Sequence, residues 1–142
     1  MRHLFWGGVH PAGRKELSRG VPLAAAPAPA QVVIPMLQHI GKPCTPLVKP
    51  GDPVRLGQKI GDAEGLSATV HASVSGRVLA LEPRPHPSGR LVLSAVLEND
   101  GQDTPDHTLL PHQSLEGLSP DDLLSIIREA GIVGMGGATF PT

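Results

Sequence analysis

The chain has 142 residues, a formal net charge of -1 and an aromatic content of 2%, so any core must be aliphatic and the overall charge gives no pull toward nucleic acid or an anionic membrane. Its one cysteine, Cys44, excludes an intrachain disulfide framework and any cysteine-only metal or iron–sulfur site built from this segment alone. Seventeen glycines and sixteen prolines punctuate short aliphatic runs, the profile of a turn-rich β-protein.

Residues 1–30 read as an arm. Arg2, Arg14, Lys15 and Arg19 oppose a single acid, Glu16, and Val21 to Ala30 is a proline- and alanine-rich stretch whose missing backbone donors favour extended conformations. No window reaches the roughly 18 to 20 apolar residues of a membrane span, and the opening Met-Arg-His-Leu-Phe-Trp-Gly-Gly lacks the apolar centre of a secretory signal. From 31 to 100, apolar runs alternate with Gly, Pro and Asp at close spacing, which predicts short strands joined by tight turns. The candidates are Val32–Ile34, Leu47–Lys49, Val54–Leu56, Thr69–His71, Arg77–Leu81 and Leu91–Leu97.

Two turns in this region repeat the same logic, a glycine between short valine-bearing strands: Val48-Lys49-Pro50-Gly51-Asp52-Pro53-Val54 and Val74-Ser75-Gly76-Arg77-Val78. The run Gly51-Asp52-Pro53-Val54-Arg55-Leu56-Gly57-Gln58-Lys59-Ile60, with the return Ala72-Ser73-Val74-Ser75-Gly76-Arg77-Val78, resembles the barrel-sandwich hybrid of lipoyl and biotinyl carrier domains. That resemblance implies the fold and not the carrier activity. The segment after Ile60, Gly61-Asp62-Ala63-Glu64-Gly65-Leu66-Ser67, presents no lysine for acylation, and Lys59 sits inside the strand pattern.

Residues 101–118 are polar and proline-interrupted, the composition of an interdomain linker. Between Leu91 and Ile127 there are seven acids and no Lys or Arg. Ser119-Pro120-Asp121-Asp122 then opens a helix: a capping hydroxyl, proline at the first position and two acids at the positive end of the dipole. Leu123, Leu124, Ile126, Ile127 and Ala130 recur at helical spacing, and Gly131 stands where a left-handed cap is wanted. Gly134, Gly136 and Gly137 follow, a cluster whose bare backbone can approach a phosphate and turn N–H groups toward it. It is neither the dinucleotide fingerprint nor a P-loop, so spacing alone leaves a flexible cap as an equal reading.

A second resemblance covers the whole chain in order. Gly131-Ile132-Val133-Gly134-Met135-Gly136-Gly137-Ala138-Thr139-Phe140-Pro141-Thr142 is similar to the flavin/NADH loop of the RnfC family of Rnf complexes, ion-translocating ferredoxin:NAD oxidoreductases. Phe5-Trp6-Gly7-Gly8-Val9-His10-Pro11, Lys15-Glu16-Leu17 and Val33-Ile34-Pro35-Met36-Leu37-Gln38-His39-Ile40-Gly41 resemble the family's other motifs. The related loop in the flavin-bearing part of respiratory complex I reads G-x-x-G-R-G-G-A-G-F; here Met135 replaces the arginine and Thr139 a glycine, so backbone donors carry more of the binding.

The resemblance implies a mainly β fold: a barrel-sandwich hybrid over 31–100, then, over 119–142, the first helix and glycine-rich loop of an incomplete α/β flavin/NADH domain. It implies FMN and NADH as cofactors, with contacts from Gly134, Gly136, Gly137, Ala138 and Thr139. It implies two 4Fe–4S clusters, whose cysteine runs lie beyond this segment in the family. The expected partners are the other subunits of a membrane electron-transport complex, at the cytoplasmic face of a bacterial inner membrane, with no direct membrane span and no nucleic acid. A segment of this kind is expected to be catalytically incompetent alone, with no catalytic residue of its own and Gly134 to Thr142 mobile. The alternatives are a non-catalytic module that docks on other subunits and, third, a carrier domain.

The remaining reactive residues have plainer readings. His10 and His39 are expected to make structural hydrogen bonds in turns, Cys44 to be an inert thiol, and Asp62, Glu64 and Glu82 to be solvated charges. No metal site is expected; His107 and His112 are the nearest approach to a ligand pair.

Overall fold

A computed structural model describes residues 11–108 and 114–141. Among these, seven strands and one α-helix follow in chain order: β1 (Gln31–Pro35), β2 (Thr45–Pro46), β3 (Pro53–Val54), β4 (Lys59–Asp62), β5 (Val70–His71), β6 (Gly76–Pro85), β7 (Leu91–Asn99) and α1 (Pro120–Glu129). They form two antiparallel sheets, one ordered β1-β7-β6-β3 and one ordered β2-β4-β5. The mainly β reading stands.

The core lies between the sheets and is aliphatic, as the scarcity of aromatics requires. Met36, Ile60, Val78 and Leu97 are its largest fully buried side chains. Ile34 is the buried position of β1, whereas Ser94, Ala95, Val96 and Leu97 form a continuous buried run in β7. Long β6 and β7 make the backbone of the larger sheet, with a bulge between Val78 and Ala80. Their connection is closed by the Gly89 amide on the His86 carbonyl at 2.9 Å and the His86 amide on the Arg90 carbonyl at 2.9 Å.

The two similar turns lie side by side. Pro53 pairs with Arg77 and Val54 with Gly76, the Gly51 amide donates to the Val78 carbonyl at 2.7 Å, and the Val78 amide donates to the Asp52 carbonyl at 2.9 Å. Gly76 must be glycine here: its φ is +148°, and a Cβ would sit 1.9 Å from the Glu98 carbonyl oxygen.

Three expectations about strands need correction. The strand read at Leu47–Lys49 is Thr45–Pro46, with Val48 instead turning into the core. The one read at Val54–Leu56 stops at Val54, and Leu56 forms an isolated parallel bridge to Pro105. β4, read only as the strand pattern that contains Lys59, carries a single aliphatic side chain in Lys-Ile-Gly-Asp and is paired by β2 and β5 on either side.

Residues 11–30 are exposed throughout and contain one short 3-10 turn, Lys15–Leu17. Phe5 to His10 lie outside the described residues, as does His112. The start of the expected linker runs against the barrel. The Leu56 amide donates to the Thr104 carbonyl at 2.9 Å, the Asp106 amide to the Leu56 carbonyl at 2.8 Å, and the Thr104 amide to Ser75 Oγ at 2.9 Å.

Candidate functional site

The helix that carries the glycine loop is built as its sequence predicts. Ser119 Oγ accepts from the Asp122 amide at 3.2 Å and the Asp122 carboxylate accepts from the Ser119 amide at 2.9 Å, a reciprocal capping box, with Pro120 at the first position. The Ser119 hydroxyl, which donates to Asp122 Oδ2 at 2.7 Å, and then the Ser119 amide hold the Asp122 carboxyl below the usual range. At the other end Gly131 has φ +68°, and a Cβ there would meet the Thr69 carbonyl oxygen at 2.5 Å and the His71 ring at 3.2 Å. Glycine thus ends the helix and lets it press onto β5.

No side chain of α1 is fully buried, although Ile126 and Ile127 are half-buried. Polar contacts join it to the barrel. Arg128 donates from Nη2 to Asp62 Oδ1 at 2.7 Å and to the Ala63 carbonyl at 2.6 Å, and Lys59 Nζ donates to Glu129 Oε2 at 2.5 Å and Asp62 Oδ2 at 3.2 Å. Thr69 Oγ1 shares its proton between the Arg128 and Glu129 carbonyls, at 3.1 and 2.9 Å, and so caps the helix C-terminus.

Asp62 is therefore not the solvated charge expected. Burial is the strongest single influence on its carboxyl and pushes its pKa up, but hydrogen bonds from Lys59, Arg128 and the Ala63 amide together bring it below its ordinary value. The same contacts raise Lys59, through Glu129 first, and Arg128, through Asp62 first. His71, at the foot of this seam, is lowered by burial and then by the Lys59 charge. Glu82 is also paired, with Arg84 at 2.5 Å, both half-buried on β6. Lys59, the lysine nearest the carrier-like turn, has its ammonium held by two carboxylates and is not a free swinging-arm amine.

Beyond Gly131 the chain folds back on itself. Val133 bridges Pro141 in antiparallel fashion, and the Gly134 amide donates to the Phe140 carbonyl at 2.9 Å. The loop is moored to the barrel by the Ile40 amide, which donates to the Thr139 carbonyl at 3.3 Å. Residues 134–141 therefore form a loop closed and tied at its base. The five predicted contact residues sit together on it: Gly134, Gly136, Gly137 and Ala138 exposed on the loop, and Thr139 half-buried at its foot. Nothing lies within 4 Å of the Cβ positions of Gly136 and Gly137, so a ligand has open access to their backbone. Met135 is fully exposed.

Two open clefts flank the seam. One, of about 400 Å³, is lined by Leu66, Ser67, Leu124, Ser125, Arg128 and Pro141; the other, of about 360 Å³, by Lys42, Thr45, Asp62, Ala63, Glu64 and Arg128. Arg128 borders both, but its guanidinium is committed to Asp62 and Glu129.

Sequence reasoning missed the seam. Its four charges come from positions 59, 62, 128 and 129, and no local spacing signals that two strand residues meet a helix end. It also left His39 and Cys44 as separate minor features, whereas both are buried and share Ser67 and Ala68 as partners. Among the described residues, no group of three or more His, Cys, Asp or Glu side chains is placed to hold a metal ion.

Comparison with known proteins settles the lineage. The family model of the RnfC barrel sandwich hybrid domain matches residues 3–102. The chain belongs to the RnfC family. It is 53% identical over 139 residues to the C subunit of the Na(+)-translocating ferredoxin:NAD(+) oxidoreductase complex of Acetobacterium woodii, covering 97% of this chain and 31% of the relative. It is 44% identical over 138 residues to the C subunit of the proton-translocating ferredoxin:NAD(+) oxidoreductase complex of Clostridium ljungdahlii, covering 96% and 30%. With the C subunit of the ion-translocating oxidoreductase complex of Rhodobacter capsulatus the figures are 42% over 140 residues, 96% and 27%. The chain thus spans less than a third of the length of these RnfC relatives. The barrel-sandwich architecture read from Gly51–Ile60 and Ala72–Val78 is the one this family carries.

Proposed function

We propose that this chain is the N-terminal portion of an RnfC protein in an ion-translocating ferredoxin:NAD oxidoreductase complex, and that its glycine loop supplies half of a flavin/NADH site. The observation that carries the reading is the alignment with RnfC relatives over 96–97% of the chain, through the loop itself. The loop's chemistry fits a phosphate: an open backbone at Gly136 and Gly137, a neighbouring hydroxyl on Thr139, and no carboxylate within the Gly131–Pro141 run. Gly134, Gly136, Gly137, Ala138 and Thr139 would hold the phosphate and orient the ring; bound flavin and NADH would supply hydride transfer. The chain's own work is positioning and charge neutralisation by amides.

Iron–sulfur clusters do not fit these residues. Cys44 is buried, with its Sγ donating to the Ala68 carbonyl at 3.1 Å, and it has no sister cysteine. Cluster ligands, the completed nucleotide domain and electron delivery to ferredoxin are assigned to the rest of a full-length RnfC protein. In that setting the barrel is a peripheral element at the cytoplasmic face of a bacterial inner membrane, docked on other subunits. Among the described residues no helix is long and apolar enough to cross a membrane.

Titration of FMN and NADH against the 142-residue chain tests this reading. Weak, saturable binding that is lost when Gly136 and Gly137 are both replaced by Val is the expected result, with no NADH oxidation by the isolated chain. A folded chain that binds neither nucleotide would instead favour a non-catalytic docking module.

A further inference from the structure

His39 sits at the root of the loop's mooring. It is buried, at 6% exposure, and both ring nitrogens are engaged. The Ala68 amide lies 3.1 Å from Nε2, and an amide can only donate, so Nε2 is the lone-pair nitrogen and Nδ1 carries the proton. Nδ1–H then donates to the Ile40 carbonyl at 3.1 Å. The Ala68 carbonyl, 3.2 Å from the same Nε2, takes its proton from the Cys44 thiol at 3.1 Å, and the Ser67 hydroxyl, 3.4 Å away, is free to donate to Nε2. With this tautomer the Ala68 amide and the Ile40 carbonyl both have partners; with the other both lose them.

The ring therefore staples the turn at Ile40 to the strand-like segment at Ala68. That same turn points its Ile40 amide toward the Thr139 carbonyl. Thr139 has φ +52°, the left-handed region, which is costly for a β-branched residue and persists only where surrounding contacts over-determine it. The related complex I loop has glycine at this position; here a threonine takes the left-handed conformation.

We propose that His39 is a positioning residue for the nucleotide loop: by fixing Ile40, it holds the Thr139 carbonyl and keeps Thr139 in its left-handed conformation. The proposal rests on the nucleotide reading of the loop, but the latch itself is a statement about loop geometry and is tested without ligand. In hydrogen exchange on the whole chain, His39→Ala should speed exchange of segment 133–141 by roughly fivefold to tenfold, the effect of losing one or two hydrogen bonds, while β6 and β7 stay protected. His39→Gln, whose amide oxygen reaches the Nε2 position and can accept from the Ala68 amide, keeps the link that crosses to Ala68 and should restore part of the protection; His39→Asn, which reaches only the Nδ1 position and can bond only its own neighbour Ile40, should not. Replacing Thr139 by Gly removes the strained conformation, so His39→Ala should cost the loop less in that background.

Nitrogen-15 shifts of the His39 ring provide a measurement that needs no variant: protonated Nδ1 and unprotonated Nε2 are expected. The proposal is overturned by an Nε2–H tautomer, by unchanged exchange of 133–141 in folded His39→Ala, or by equal losses in the presence and absence of Thr139→Gly. If His39→Ala does not fold, the tautomer and the Gln-against-Asn contrast decide. Loss of protection in a chain that binds neither FMN nor NADH would sink the nucleotide reading and leave the latch standing.

Discussion

At the scale of single residues, backbone constraints outweigh side-chain chemistry. Gly76 has space for no Cβ at all, because the Glu98 carbonyl oxygen occupies the position at 1.9 Å. Gly76→Ala should therefore destabilise the chain by about 3 kcal/mol or more, through separation of β6 from β7 at their open end. Urea denaturation checks this; a loss under about 1 kcal/mol would mean that the strands separate there at little cost. The V-S-G return that holds Gly76 was legible in the sequence, since a glycine between valines is a turn signal. The identity of its obstacle was not, because Glu98 lies 22 positions away in the chain. Cys44 and His39 illustrate the same division: their inert, structural character was readable from their neighbours, their shared partners were not.

At the scale of elements, α1 was the most legible because its signals are local. Its cap, first proline, dipole acids and terminal glycine lie within thirteen consecutive positions, from Ser119 to Gly131. Ser119→Ala removes the hydroxyl that accepts from the Asp122 amide and should cost about 1 kcal/mol, seen as lower helical ellipticity and a lower Tm with the β signal intact. The seating of the helix is a different matter, decided by Lys59, Asp62, Arg128 and Glu129. Asp62 and His71 both bind a proton less readily in the folded chain than in the unfolded one, so each contributes stability at neutral pH that is lost on acidification. For His71 the loss begins as pH falls toward its ordinary value of 6.5; for Asp62 it begins near 3.8. Thermal melts across pH 7 to 3 should show two falls, the first flattened in His71→Gln and the second in Asp62→Asn. Because these ion-pair side chains are between 27% and 44% exposed, Asp62→Asn should cost only about 1 kcal/mol at pH 7, and less in high salt. A first fall of undiminished size in His71→Gln would place the titration elsewhere.

At the scale of the whole molecule, the core and the loop-bearing helix are held by different forces. The two sheets bury Ile34, Met36, Ile60, Val78 and Leu97, whereas α1 buries no side chain fully. Removal of residues 114–142 should then leave the barrel folded, with its β circular dichroism retained and its Tm lower by a few degrees. Collapse of that signal would show the seam to be necessary for the fold. Sequence alone determined the elements whose causes are contiguous: the aliphatic core demanded by scarce aromatics, the two glycine turns of the barrel, the capped helix, and the family-like motifs. Tertiary structure alone decided the pairing and extent of β4, the Lys59–Asp62–Arg128–Glu129 seam, and the mooring of Thr139 by the Ile40 turn. The physical reason is that the contacts joining these parts, Gly61 to Val70, Lys59 to Glu129, Asp62 to Arg128 and Ile40 to Thr139, lie 9 to 99 positions apart, where partners are chosen by how the sheets and helix close, and no local periodicity records the choice.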